Sequence, residues 1–451
     1  MSDQNNNLDR RLGLFPLYNI VVANIIGAGI FTTSGLLMEN LGNVTVLLSI
    51  WVAGGFIALC GALSYSELGA AMPRAGGEYT FLSKLFHPSI GFLSGWVSFI
   101  AGFSAPIAAS AIGFSEYFCR SFPILAETSA YAGWLTPDAI KKILAISVIL
   151  LFTAIHARGL DFGARIQNLL TLLKIGLIAA LIIAGFWLGK GDWSHFTQHG
   201  AFIFDLKGLK TGGLALLWVM FAYSGWNAAT YIGSEVSQPE KNIPRALILG
   251  TLSVMVIYLL LNLFFVYAIS PSDMKGVVSI GGLAVGNAFG ATTETVVSML
   301  IAFALFSSLS AYLILGPRVY FAMSRDGYFF KSISRIEPKT HVPVRAILLQ
   351  GGLSIIMVLS GTFDQILTYM GFALGIFPLL AVAGVFSLRR LNGKHRRMPG
   401  FPYVQIVFLL ASGGMLLLSF FERPLESGIA LFTVLLGLPA YGYFWKLREK
   451  E

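Results

Sequence analysis

Asn24-Ile25-Ile26-Gly27-Ala28-Gly29-Ile30-Phe31 interrupts an apolar segment, residues 14–37, that is long enough to cross a bilayer. Two glycines one residue apart sit at its centre, where glycine costs a helix about 1 kcal/mol relative to alanine. A second break of the same kind lies far downstream, at Phe221-Ala222-Tyr223-Ser224-Gly225-Trp226-Asn227. An unwound turn exposes backbone N–H and C=O groups that lipid cannot satisfy, so it persists only where it faces protein, water or a solute. Paired interruptions in two halves of a membrane chain point to a transporter's binding site.

The composition agrees. Of 451 residues, 56% are apolar and only 12% charged, which excludes disorder and indicates a polytopic membrane protein. The first apolar segment is too long for a signal-peptide core and no small-residue cleavage site follows it, so it reads as a span. The two cysteines are Cys60, inside a span, and Cys119, near an outer helix end; they suggest no internal bridge, and the six histidines form no metal motif. The net charge of +9 does not indicate nucleic acid, because the basic residues sit in short loops between apolar spans.

Twelve spans are expected, at about 12–36, 44–72, 90–118, 141–157, 166–189, 212–234, 243–269, 291–323, 345–360, 364–388, 402–421 and 427–446. Assigned to alternating sides, 22 Lys and Arg fall on the side of the termini and 8 on the other, which places both termini in the cytoplasm. Lys174 belongs to neither side. Each broken span then opens a set of five, one starting inside and the other outside, which is an inverted repeat. The expected organisation is an all-α polytopic membrane protein: a tail at 1–11, a first repeat at 12–189, a second at 212–388, two further helices at 402–446 and a tail at 447–451.

Five motifs, in order, resemble those of the amino acid–polyamine–organocation (APC) superfamily. Gly27-Ala28-Gly29-Ile30-Phe31 resembles its first-helix G-(S/A)-G-I-F, and Pro73-Arg74-Ala75-Gly76-Gly77-Glu78-Tyr79 its P-x-(S/A)-G-G-(E/D)-Y loop. Phe221 to Trp226 resembles F-A-Y-x-G-W. Glu235 with Pro239-Glu240-Lys241-Asn242-Ile243-Pro244-Arg245-Ala246 resembles the signature that follows, and the run from Arg318 to Arg325-Asp326-Gly327 the loop after helix 8. The nearest branch is the L-amino-acid transporter (LAT) group with its bacterial alanine–serine–cysteine exchangers. The resemblance implies the leucine-transporter fold, with helices 1 and 6 broken, in a cell membrane.

The resemblance also implies a site. Ile26, Gly27, Ala28 and Gly29 would hold a substrate carboxylate through backbone N–H groups at a half-helix N-terminus. Ala28 stands where serine is commoner and offers no hydroxyl. Phe221, Ala222, Ser224 and Gly225 would receive the ammonium on exposed carbonyls, with Phe221 closing over the substrate; Tyr223 reads as packing. A small-residue packing surface is the plainer reading of the first break.

Lys174 lies well inside span 5, and an intramembrane ionisable residue is a functional hypothesis by default. It matches a helix-5 lysine of sodium-independent APC members, whose ammonium takes the place of a sodium ion; carbonyls near Gly27 and the hydroxyls of Ser307 and Ser308 are its natural partners. Tyr258, mid-span in helix 7, would reach a carbonyl of the first break. Whether Lys174 cycles a proton, giving symport, or stays a fixed cation, giving exchange, is open in the sequence. Glu116 reads as a wetted helix-end carboxylate, His156 and His341 as loop residues, and Glu235 and Arg245 as parts of a cytoplasmic lock.

No other intramembrane charge is evident near either break, which favours a neutral amino acid. A repeated filter or charged ring would mark a channel, a nucleophile–base or metal constellation an enzyme, and G-x-x-x-x-G-K-(S/T) an ATP site; none is present. The expected partners are an amino acid and the bilayer, with no cofactor, no nucleic acid and no obligatory protein partner, since Cys119 is in no matching motif.

Overall fold

The computed structural model describes residues 10, 12–122, 136–198, 200, 202–337, 342–360, 363–391 and 397–449. His341 falls outside them. The described chain is all helical: α1 (Leu14–Ile25), α2 (Ala28–Leu41), α3 (Val44–Ala71), α4 (Glu78–Leu85), α5 (Pro88–Val97), α6 (Ser104–Ser121), α7 (Pro137–Ala157), α8 (Leu160–Trp187), α9 (Leu206–Ala222), α10 (Pro239–Ala268), the single turn α11 (Pro271–Met274), α12 (Ile280–Phe289), α13 (Ala291–Arg325), α14 (Val344–Ser360), α15 (Phe363–Arg390), α16 (Tyr403–Glu422) and α17 (Pro424–Glu449). Among the described residues there is no strand, only isolated bridges from Leu12 to Val236 and from Ala75 to Ile232.

Among the described residues, ten helical segments are long and apolar enough to cross a membrane, counting α1–α2 and α5–α6 as one each. Two of the twelve expected spans are shorter. Helices α9 and α14 have 17 residues each, about 25 Å of rise against a hydrocarbon core of about 30 Å. In α9 the cause is visible: the helix stops at Ala222, and the rest of the expected span is turns and short 3-10 segments at Ala228–Thr230 and Gly233–Glu235.

The first break is narrower than the sequence suggests. Only Ile26 (ψ 89°) and the extended Gly27 (φ −118°, ψ −158°) leave the helix, and Ala28 and Gly29 already belong to α2. At the second break Gly225 sits at φ +100°, a conformation that L side chains rarely adopt. The two breaks touch. A Cβ on Gly225 would lie 2.6 Å from Asn24 Nδ2, and one on Gly29 would lie 2.6 Å from Ala222 Cα. A third irregularity joins α5 to α6: a π-turn at Ser98–Gly102, with Phe103 N donating to Ser98 O at 3.2 Å. Pro106, in the first turn of α6, has no N–H to offer Gly102 O, so the wider turn relieves its ring.

Helix ends gather on two faces. On one, Leu12 N donates to Glu235 O and Gly76 N to Tyr231 O, Tyr79 bonds Asp326, and Arg389 forks onto Glu67, which also accepts from Met398 N. On the other, Gly276 N donates to Gly35 O, Lys190 N to Ala288 O and Asp192 N to Tyr267 O, while Arg120 pairs with Glu294 and Lys141 with Glu116. Between them, Trp51, Tyr223 and Tyr258 pack against one another, with ring centroids 5.0–5.9 Å apart.

Candidate substrate site at two broken helices

The last carbonyls of a helix have no partner within it. Helix α1 ends in the protein interior, and four carbonyls at its end are met by side chains. Asn24 O accepts from Tyr312 at 3.1 Å. Ile25 O lies 2.7 Å and Ala222 O 2.9 Å from the Tyr258 hydroxyl, one proton shared between the two breaks. Ala23 O accepts from Lys174 at 3.0 Å, and Ile26 O accepts from both Lys174 and Ser308.

Lys174, on α8, is fully buried. Its ammonium has three N–H donors and meets three oxygens: Ala23 O, Ile26 O and Ser308 Oγ, the last at 3.1 Å. A buried charge requires such partners. Ser308 passes the contact on, donating to Ile26 O at 2.7 Å. Ser307, one residue earlier on α13, faces Thr171 at 3.3 Å and not Lys174.

Beyond the break, the first N–H groups of α2 have no intrahelical acceptor, and Gly27, Ala28 and Gly29 carry them at the positive end of the helix dipole. On the α9 side, Phe221 O accepts from Ser224 N at 2.8 Å and Ala222 O faces Tyr258. Each carbonyl keeps a second lone pair.

A cavity of about 80 Å³ opens beside the second break, bordered by Asn24, Phe221, Ser224, Gly225, Tyr312 and Glu78 among others. A water needs only about 10–15 Å³ of such space, so the cavity takes several waters or a small solute. Ile26, Gly27, Ala28, Gly29 and Ala222 are not on its wall. Asn24 Oδ1 is buried without a hydrogen-bond partner among the described residues.

Glu78 was not singled out by the sequence, and the structure brings this carboxylate to the site. It begins α4, in the connection between α3 and α5 and outside the candidate spans. Tyr65 and Asn227 donate to its Oε1 at 2.8 Å each and Tyr231 at 3.4 Å. Burial pushes the Glu78 carboxyl up to about 7, and these hydrogen bonds oppose the rise. The only available signal was its place in the Pro73–Tyr79 loop. Asn24 and Tyr312 had no signal beyond being polar in apolar runs.

Two expectations change. His156 is no loop residue: it is buried on α7, 2.8 Å from Ser310 Oγ. Glu235 pairs with Arg318 at 3.2 Å, both side chains 10% exposed, whereas Arg245 is exposed at the start of α10. Glu116 lies near the end of α6 with its side chain 29% exposed, as expected of a helix-end carboxylate, and is met by Lys141 at 2.9 Å. No group of three or more His, Cys, Asp or Glu is placed to hold a metal among the described residues.

Residues 12–438 match the amino acid permease family. The chain is 31% identical to the serine/threonine exchanger SteT of Bacillus subtilis (strain 168), over all of both chains. It is 30% identical to the human cystine/glutamate transporter, covering 97% of this chain and 85% of that one. It is 29% identical to the human large neutral amino acids transporter small subunit 2, over 98% and 82% respectively. The chain belongs to the amino acid permease family, whose members are membrane transporters and not enzymes.

Proposed function

We propose that this permease exchanges neutral L-amino acids across the cell membrane, independently of sodium and by alternating access. The observation that carries this reading is Lys174. Its ammonium fills the space between α1, α8 and α13 and satisfies carbonyls at the first break. A fixed cation there occupies the place that a coupling sodium ion would need. The relatives' names support amino-acid exchange, and they span serine, threonine, large neutral and cystine/glutamate substrates.

The α-carboxylate is assigned to the N–H groups of Gly27, Ala28 and Gly29, and the α-ammonium to the free lone pairs of Phe221 O and Ala222 O, with Ser224 and Gly225 shaping the turn between them. Lys174, Ser308 and Tyr258 brace the break, whereas Ser307 bonds Thr171 instead. The chain is read as twelve crossings in a five-plus-five inverted repeat with both termini in the cytoplasm. The grouping of helix ends on two faces supports that reading, and Leu12, Glu235, Asp326 and Arg448 would then face the cytoplasm. No obligatory protein partner is expected.

The test is uptake into proteoliposomes. Exchange requires an unlabelled amino acid inside, ignores sodium and ignores an imposed pH gradient. Uptake driven by a pH gradient into empty vesicles would instead establish proton symport, the alternative in which Lys174 cycles a proton. A strict sodium requirement would overturn the Lys174 assignment.

A further inference from the structure

Glu78 is the only charged side chain on the wall of the site cavity among the described residues. Its surroundings hold it there. Tyr65 reaches it from α3, Asn227 and Tyr231 from the turns after α9, and Ser94 stands beside it on α5. The three hydrogen bonds from Tyr65, Asn227 and Tyr231 all end on Oε1, and none of them uses Oε2. Among the described residues no Lys, Arg or His neutralises it: the groups that act on it are a hydroxyl, an amide and phenols. Ser224 and Gly225 of the second break border the same cavity. Of the residues at or beside the breaks, Asn24, Phe221, Ser224 and Gly225 share this cavity with Glu78, so a substrate side chain directed into it from the breaks would meet a carboxylate.

We propose that Glu78 sets side-chain specificity in this site: its carboxylate rejects amino acids with an anionic side chain and favours those whose side chain donates a hydrogen bond, as serine and threonine do. This rests on the exchange reading above and deepens it. An anionic side chain in the cavity would face a like charge in a desolvated setting with no compensating cation, and like-charge juxtaposition suppresses wrong partners in known interfaces. A hydroxyl instead finds an acceptor. The rejection is tied to the charge on Glu78. Burial pushes that carboxyl up to about 7, so it is mostly ionised at pH 8 and mostly neutral at pH 6. The side chain of free glutamate, with an ordinary value near ~4.3, stays ionised across that interval.

The test is counterflow with the full-length protein in proteoliposomes loaded with unlabelled serine, at pH 6 and pH 8 on both sides. Labelled serine and labelled glutamate are compared, and the ratio of their initial rates is the readout. The wild type should show a glutamate-to-serine ratio about tenfold higher at pH 6 than at pH 8, following the neutral fraction of Glu78. Glu78→Gln should raise the ratio at pH 8 to the wild-type value at pH 6 and abolish its pH dependence. A pH-independent ratio in the wild type overturns the proposal, as does a Glu78→Gln ratio that keeps the wild-type value and slope. Should Glu78→Gln fail to fold, the wild-type pH series decides alone. Absence of wild-type serine counterflow would defeat the exchange reading itself, and is distinguishable from serine counterflow with a flat ratio, which defeats only the role of Glu78.

Discussion

Lys174 meets two of the four carbonyls at the end of α1, Ala23 O alone and Ile26 O together with Ser308. Truncating it to alanine leaves Ala23 O short of a donor in a buried setting, at about 1–3 kcal/mol, while Ile26 O keeps only its bond from Ser308. Lys174→Ala should therefore lower the thermal midpoint in detergent and reduce amino-acid exchange at least about tenfold; near-normal exchange would remove Lys174 from the mechanism. Glu78 gives a second residue-scale expectation, with a definite sign. Its carboxyl, pushed up to about 7 in the fold, lies above the ordinary value of 4.5. The stability it contributes is present below pH 4.5 and lost as pH rises through about 7. Thermal midpoints of the wild type should fall between pH 5 and pH 8 by more than those of Glu78→Gln, and parallel profiles would contradict the assignment. The two residues differed in legibility. Lys174 is conspicuous in sequence because a charge in an apolar run must be explained. Glu78 sits in a polar loop, and only packing across 149 residues brings Asn227 to it.

At the scale of elements, both breaks were legible because glycine interrupts apolar periodicity, but their extent was not. The sequence marks Gly27 and Gly29 alike, and the structure separates them. Gly27 caps α2 in an extended conformation, where an added Cβ would meet only ordinary contacts at 3.8 Å. Gly29 lies inside α2 against the backbone of Ala222, where a Cβ would come within 2.6 Å and neither helix can yield cheaply. Gly27→Ala should thus leave the fold intact, whereas Gly29→Ala should destabilise it by about 1–3 kcal/mol, the usual cost of overpacking. Fluorescence-detected gel filtration after graded heating would separate the two, and equal midpoints would refute the close approach of α2 to α9. The π-turn at Ser98–Gly102 was not legible at all, since Pro106 alone does not announce a widened turn four residues upstream. The shortness of α9 also escaped the sequence, because residues 223–234 carry no charge to mark where the helix has ended.

For the whole molecule, alternating access requires that each face can be sealed, and the structure carries an ion pair near each. Arg318 on α13 holds Glu235 on the turns after α9, on the face that also holds Leu12. Arg120 on α6 holds Glu294 at 2.5 Å on the opposite face, and its Nη1 donates to Ser279 ahead of α12. The two pairs differ in burial: the side chains of Arg318 and Glu235 are 10% exposed, those of Arg120 and Glu294 27% and 24%. Breaking a buried pair by removing one partner costs about 3–5 kcal/mol, whereas a more exposed pair contributes about 0–1 kcal/mol. The Arg318 pair should therefore weigh more heavily on the balance between the two sealed states. Arg318→Ala leaves Glu235 without its cation, and the freed carboxylate, 10% exposed, gains hydration when that face opens. Ser98, on the cavity wall, reports the opening. In a Ser98→Cys background, labelling by a membrane-impermeant thiol reagent applied to the face of Leu12 should accelerate at least about tenfold with Arg318→Ala, because opening restores the hydration of Glu235. Arg120→Ala should change the same rate less than about threefold, in keeping with its exposure. Labelling left at the background rate by both substitutions would mean that neither ion pair seals the cavity and that the packing of Leu12, Ala75 and Ile232 does so instead.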